Sequence, residues 1–120
     1  MQLTDYDIEC IEKAKQIIDY DLRNHLTIVL IAERVNMGKT KLKIAFRNYY
    51  GMAIFQYLKI QRMEKAAELL IETNFTLKKI SAATGFKFAN NFNKAFTSYH
   101  GITPAKYRKD HKVRLKQISK

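Results

Sequence analysis

The chain has 120 residues and carries 22 Lys and Arg against 11 Asp and Glu, a net charge of +11. That length holds one domain or two very small ones and leaves no room for a large enzyme. With 47% hydrophobic residues, one Pro, four Gly and one Cys, the composition supplies a core, carries too little turn chemistry for an all-β chain, and excludes an internal disulfide framework or a Cys-based zinc site.

The elements follow in chain order. Ile8, Ile11, Ala14, Ile18 and Leu22 recur at steps of three and four between charged residues, which predicts an amphipathic helix from Asp7 to Leu22. Thr27 is placed to cap a short helix, Ile28 to Val35, whose inner side is Ile28, Ile31, Ala32 and Val35. Asn36-Met37-Gly38 interrupts the period. A third helix runs from about Lys39 to Tyr50 with Leu42, Phe46 and Tyr49 inward, and Gly51 stops it. A long fourth helix, about Ile54 to Thr73, carries the stripe Leu58, Arg62, Ala66, Leu69 and Leu70.

Asn74 and Phe75 break that helix and the plan repeats. Thr76 caps a short helix from Leu77 to Ala83, and Thr84-Gly85-Phe86 makes the turn. Ala89 to Tyr99 is the next helix, with Phe92, Phe96 and Tyr99 inward and Gly101 at its end. Thr103-Pro104 starts a last short helix through about Lys109, because Pro is well tolerated in a first helical turn. The basic tail, residues 110–120, is expected to be disordered. A shift of 49 superposes Thr27 on Thr76, Ile31 on Ile80 and Asn36 on Gly85; after the turn a shift of 50 aligns Leu42 with Phe92, Phe46 with Phe96 and Gly51 with Gly101. The expected architecture is all-α, with about seven helices. Residues 1–52 form one helix-turn-helix subdomain, 53–73 a linker helix and 74–109 a second helix-turn-helix subdomain.

Charge follows the repeat. Residues 27–62 hold seven bases and one acid and residues 77–120 eleven bases and one acid, whereas residues 1–26 and 63–76 are net acidic. A polyanion partner rewards such sorting through release of condensed counterions, so nucleic acid is the first partner to consider. Solvated helix faces are the plainer alternative.

A helix-turn-helix lays its second helix in the major groove, which requires an apolar inner face and an outer face of donors. Opposite Leu42 and Phe46 stand Thr40, Lys43, Ile44 and Arg47; opposite Phe92 and Phe96 stand Asn90, Asn93, Lys94 and Thr97. Lys can bond guanine O6 and N7, Asn can bridge adenine N6 and N7, and Ile44 can cover a thymine methyl. Thr40, Lys43, Ile44, Asn90, Asn93 and Lys94 are therefore the expected base readers. Arg47, Lys39, Lys41 and Lys87, near helix ends or the turn, suit phosphates, as do Thr97 and the helix starts at Thr27, Thr76 and Thr103, whose amides and dipole favour an anion. Each of those last three threonines can also cap its own helix, and the two roles are compatible.

The second copy, Ile80-Ser81-Ala82-Ala83-Thr84-Gly85-Phe86 followed by Phe92, Phe96, Gly101-Ile102-Thr103-Pro104 and Tyr107-Arg108, resembles the signature of the AraC/XylS family of bacterial transcription regulators. With Tyr57-Leu58, Arg62-Met63, Ala66 and Leu69-Leu70, the resemblance covers residues 8–108. It implies a seven-helix domain whose two recognition helices enter successive major grooves of double-stranded DNA, activators that contact RNA polymerase, and a separate sensor or dimerisation domain. Because Leu3-Thr4-Asp5 opens directly onto the first helix, the chain is read as a fragment of such a protein. Four positions depart from the family pattern. Asn36 stands where Gly is common, a change the turn survives because Asn tolerates a left-handed backbone. Gly38 and Phe88 stand where a side chain often caps each recognition helix, so the second is expected to start late or to wait for DNA; a lost cap costs about 1 kcal/mol. Ile44 stands where an Arg or another polar residue is frequent.

The remaining candidates point away from catalysis and metal. Cys10, His25, His100 and His111 share no ligand spacing, and Cys10 has no neighbouring base in sequence, so it reads as a small hydrophobe. Arg62, on an apolar stripe, reads as a snorkelling or ion-paired side chain with Glu33 or Glu64 in reach, the alternative being a phosphate contact. The expectation is sequence-specific DNA binding without cofactor or enzymatic activity. The competing reading is a non-specific nucleic-acid-binding or packaging protein. With no wholly apolar run approaching a bilayer span and no leader, the expected compartment is the cytoplasm.

Overall fold

The computed structural model describes residues 2–118, with side chains through Lys112. Among them are seven helices, α1 (Asp5–Tyr20), α2 (Ile28–Val35), α3 (Lys39–Tyr50), α4 (Ile54–Glu72), α5 (Leu77–Ala83), α6 (Ala89–His100) and α7 (Pro104–Ile118). None is long and apolar enough to cross a membrane among the described residues. α1 begins at Asp5, two residues before the start expected at Asp7, because Thr4 and Asp7 form a capping box: the Asp7 amide donates to Thr4 Oγ1 (3.0 Å) and the Thr4 amide to Asp7 Oδ2 (3.1 Å). α6 begins at Ala89 although Phe88 gives it no side-chain cap. The late start expected there does not occur, and the Phe92 amide closes the first turn on the Phe88 carbonyl at 3.2 Å.

The chain divides into two compact units between Gln61 and Arg62, inside α4, so that helix is shared by both rather than standing apart as a linker. The first unit buries Ile11, Ala14 and Ile18 of α1 with Ile31 and Val35 of α2, Leu42 and Phe46 of α3 and Leu58 of α4. The second buries Met63, Ala66 and Leu70 of α4 with Ile80 of α5 and Phe92 and Phe96 of α6, and Tyr107 of α7 packs on this cluster. Sinking a Phe or Leu side chain fully contributes about 1.5–3 kcal/mol.

The repeat therefore runs further than the helix-turn-helix segments alone. Phe46 meets Tyr50 at 4.7 Å and Tyr57 at 5.9 Å between ring centroids. Fifty residues later Phe96 meets His100 at 4.2 Å and Tyr107 at 5.4 Å. Each unit is four helical segments: α1, α2, α3 and the start of α4, then the end of α4, α5, α6 and the start of α7. In that scheme α7 is the counterpart of α4. It continues to Ile118, past the Lys109 end expected from sequence, so the expected disorder of the tail is corrected over residues 110–118, whose backbone is helical; residues 119 and 120 lie outside the described residues. Beyond Tyr107 the sequence is mostly charged, so apolar periodicity gives no sign of the helix there.

Two ring placements also differ from the spacing. Tyr49 and Tyr99 are 41% and 37% exposed rather than inward. At the last turn of α3 Tyr50 takes the inner position, and the Tyr99 hydroxyl donates to Glu64 Oε1 at 2.8 Å, keeping its polar tip wet.

Candidate nucleic-acid interface

Each second helix is set by the turn before it. After α2, the Met37 amide donates to the Ala32 carbonyl (3.0 Å) and the Asn36 amide to the Glu33 carbonyl (3.2 Å), with Asn36 left-handed at φ 56°. After α5, the Phe86 amide donates to the Ser81 carbonyl (2.9 Å) and the Gly85 amide to the Ala82 carbonyl (3.2 Å), with Gly85 at φ 85°. Both are Schellman closures of the same form. The Asn left-handed geometry read from sequence is present. What sequence did not show is its support from α1: the Tyr6 hydroxyl accepts from Asn36 Nδ2 at 3.2 Å and lies 3.4 Å from the Asn36 carbonyl.

On α3, Thr40, Lys43, Ile44 and Arg47 are all exposed, and their spacing of three, four and seven puts them on one stripe. Asn90, Asn93 and Lys94 form the exposed stripe of α6. Thr97 completes it half-buried, its hydroxyl donating to the Asn93 carbonyl at 2.7 Å. Among the described residues, Lys43, Arg47 and Lys94 have no carboxylate within ion-pair distance. Lys39 is exposed at the start of α3, and Lys87 is exposed in the second turn with its ammonium 5.6 Å from the Phe88 ring centroid.

Lys41 is different. Its ammonium sits 3.0 Å from Oδ1 of Asp7, whose side chain is buried. The Lys41 ammonium, with the Thr4 amide, holds the Asp7 carboxyl below the usual carboxylate range. Lys41 therefore ties α3 to the start of α1, and a phosphate there would share an ammonium already engaged. Three lysines at alternate positions, Lys39, Lys41 and Lys43, look alike in sequence; only the packing of α1 separates the middle one.

The helix-start threonines are exposed and act as caps: Thr27 Oγ1 accepts from the Leu30 amide (3.1 Å), Thr76 from Lys79 (3.1 Å) and Thr103 from Lys106 (3.2 Å). Each hydroxyl hydrogen stays available to a further acceptor. Arg62 is half-buried in the middle of α4. Between α4 and α1, the Tyr57 hydroxyl donates to Asp19, whose other oxygen takes Lys15 at 3.0 Å; burial and the Asp19 bond push the Tyr57 phenol above its usual range. In the second unit, Arg108 Nε and Nη2 donate to the carbonyls of Leu70 (3.0 Å) and Thr73 (3.3 Å), fastening α7 to the end of α4.

A helix-turn-helix domain family matches residues 31–110. The chain is 31% identical over 109 residues to the lactose operon transcription activator of Staphylococcus xylosus, covering 91% of this chain and 39% of that protein. It is 33% identical over 91 residues to the transcriptional activator AarP of Providencia stuartii, covering 76% of this chain and 67% of that one. Among solved structures, the C-terminal domain of the response regulator AraT from Geobacillus stearothermophilus superposes with a TM-score of 0.82 at 28% identity, covering 92% of this chain and 88% of that one. The matched residues include both left-handed turns and both exposed helices described above, and the chain belongs to the AraC/XylS family of helix-turn-helix transcription regulators.

Proposed function

We propose that this chain is the sequence-specific, double-stranded DNA-binding part of a bacterial transcription regulator, α3 and α6 each reading a major-groove segment. One observation carries the reading: two exposed stripes at the same helical register, each behind the same left-handed turn, each offering amide or cationic donors with no carboxylate among them. The proposed base readers are Thr40, Lys43 and Ile44 on α3 and Asn90, Asn93 and Lys94 on α6. Arg47, Lys39, Lys87, Thr27, Thr76, Thr97 and Thr103 are proposed to hold phosphates, with Lys41 sharing its charge between Asp7 and the backbone of the duplex. Thr97 would do so through its oxygen lone pairs only in a water-bridged contact, since its hydrogen is used within α6. The relatives are transcription activators by name, and activation, contact with RNA polymerase, a separate sensor or dimerisation domain and a cytoplasmic location belong to this reading; catalysis does not.

The test is selection from a random duplex pool followed by competition binding at fixed salt. Two half-sites about one helical turn apart are expected. Lys43→Ala and Lys94→Ala should each weaken the selected site by about tenfold while leaving random DNA within about twofold; a good base contact is worth about 1–3 kcal/mol. Lys109→Ala, at an exposed position of α7, should weaken both DNAs alike. Equal losses on both DNAs for all three variants, or no enrichment of any sequence, would instead favour the non-specific binder.

A further inference from the structure

The exposed stripe of α3 carries, besides its donors, an apolar opening. Ile44 and Phe55 are 45% and 41% exposed, and with Ala53, Ile54, Lys43 and Arg47 they line a cavity of about 280 Å³. Phe55 lies outside the recognition helix, in the first turn of α4, so two elements of the first unit build this cleft. Neither side chain belongs to the buried core of the first unit, which includes Phe46, Ile54 and Leu58. Leaving an Ile and a Phe in water forgoes a substantial part of the burial that either would gain inside.

The equivalent positions of the second unit are of different chemistry. The positions fifty residues on from Ile44 and Phe55 are Lys94 and Ala105, and the surface cavity on α6 is lined by Asn93, Lys94, Thr97 and Ser98. At these positions the first repeat carries two large apolar side chains with cations at their edge and the second an ammonium and a methyl, although the backbone plan of the two is the same.

We infer that Ile44 and Phe55 together form a thymine-methyl site, which makes Phe55 a specificity-determining residue of the first half-site. The inference rests on the proposed DNA binding. Thymine C5-methyl is the apolar group that an unmodified duplex presents in its major groove. Arg47, with no acid among the lining residues, draws a neighbouring phosphate toward the cleft, while Lys43 at its edge faces the adjacent base. A polar-only recognition face would select through hydrogen bonds at every position, and here one position is selected by a methyl group. The second half-site is read by amides and an ammonium and is indifferent to that group.

The test starts from the selected duplex, with each thymine replaced in turn by uracil, which removes the methyl and keeps every hydrogen-bonding group. The wild-type chain should lose about fourfold in affinity at one thymine, the effect of one buried methyl, in the half-site that Lys43→Ala weakens, and nothing in the half-site that Lys94→Ala weakens. Ile44→Gln and Phe55→Gln, both at exposed positions, should each abolish that discrimination while keeping the unfolding midpoint; Phe55→Leu should keep it. Equal affinity for thymine and uracil everywhere overturns the inference and leaves DNA binding standing, as does discrimination that survives in both Gln variants. Gln variants that bind every duplex like the wild type yet fail to activate transcription assign the cleft to a protein partner and overturn it as well. Failure of selection to enrich any sequence removes the DNA reading and this inference with it.

Discussion

At Ser81 the second unit buries a hydroxyl with no hydrogen-bond partner among the described residues. Its counterpart in the first unit, forty-nine residues earlier, is Ala32, also buried. A buried unpaired hydroxyl costs about 1–3 kcal/mol, and Ala is the better helix former. Ser81→Ala should therefore stabilise the second unit by about 1 kcal/mol, read as a higher urea midpoint with an unchanged slope; a comparable fall would mean that the hydroxyl is satisfied in solution. The same scale explains what sequence could and could not say of the candidate site. Thr40, Lys43, Ile44, Arg47, Asn90, Asn93 and Lys94 were legible because helical spacing alone places them opposite buried Leu42, Phe46, Phe92 and Phe96. The Lys41 pairing with Asp7 and the Tyr6 support of Asn36 join residues thirty or more positions apart, and nothing in local periodicity encodes them.

At the level of the element, both recognition helices end on a glycine. Gly51 and Gly101 have φ of 78° and 83°, and each amide closes the last turn, on the Arg47 and Thr97 carbonyls at 2.8 Å. A Cβ at either position would meet nothing within 4 Å. A substitution there thus isolates backbone strain from crowding. Gly51→Ala and Gly101→Ala should each destabilise by about 1–2 kcal/mol, the left-handed penalty of an L-residue. Gly38, the uncapped start of α3 at φ −63°, also has open space around it. Gly38→Ser should be neutral or stabilising by a few tenths of a kcal/mol by supplying the missing cap. Thermal unfolding of the three variants separates the two effects, and equal losses at all three would contradict the cap geometry. The short helices α2 and α5 begin and end where caps and turns put them, since those signals are local. α7 runs on to Ile118, past the end that the Pro104 start and the apolar spacing to Tyr107 mark in the sequence.

For the whole molecule, the +11 charge is concentrated in the two basic segments, residues 27–62 and 77–120. Each phosphate neutralised contributes about −0.9 to the slope of log affinity against log salt concentration. Lys87→Ala and Lys109→Ala should each make that slope shallower by about one, while Ile44→Ala leaves it unchanged; unaltered slopes for both lysine variants would place those cations away from the DNA backbone. Sequence by itself determined the helical class, the doubled plan, the two turns and the donor stripes, because these rest on periodicity, caps and charge, all readable within one or two helical turns. Tertiary structure alone decided that α4 is shared between two units, that α7 repeats its role, that Lys41 serves Asp7, and that Phe55 opens beside Ile44. Each depends on which distant side chains come to lie against one another, and contact energies between packed elements, unlike local propensities, are set only when the chain has closed around its two cores.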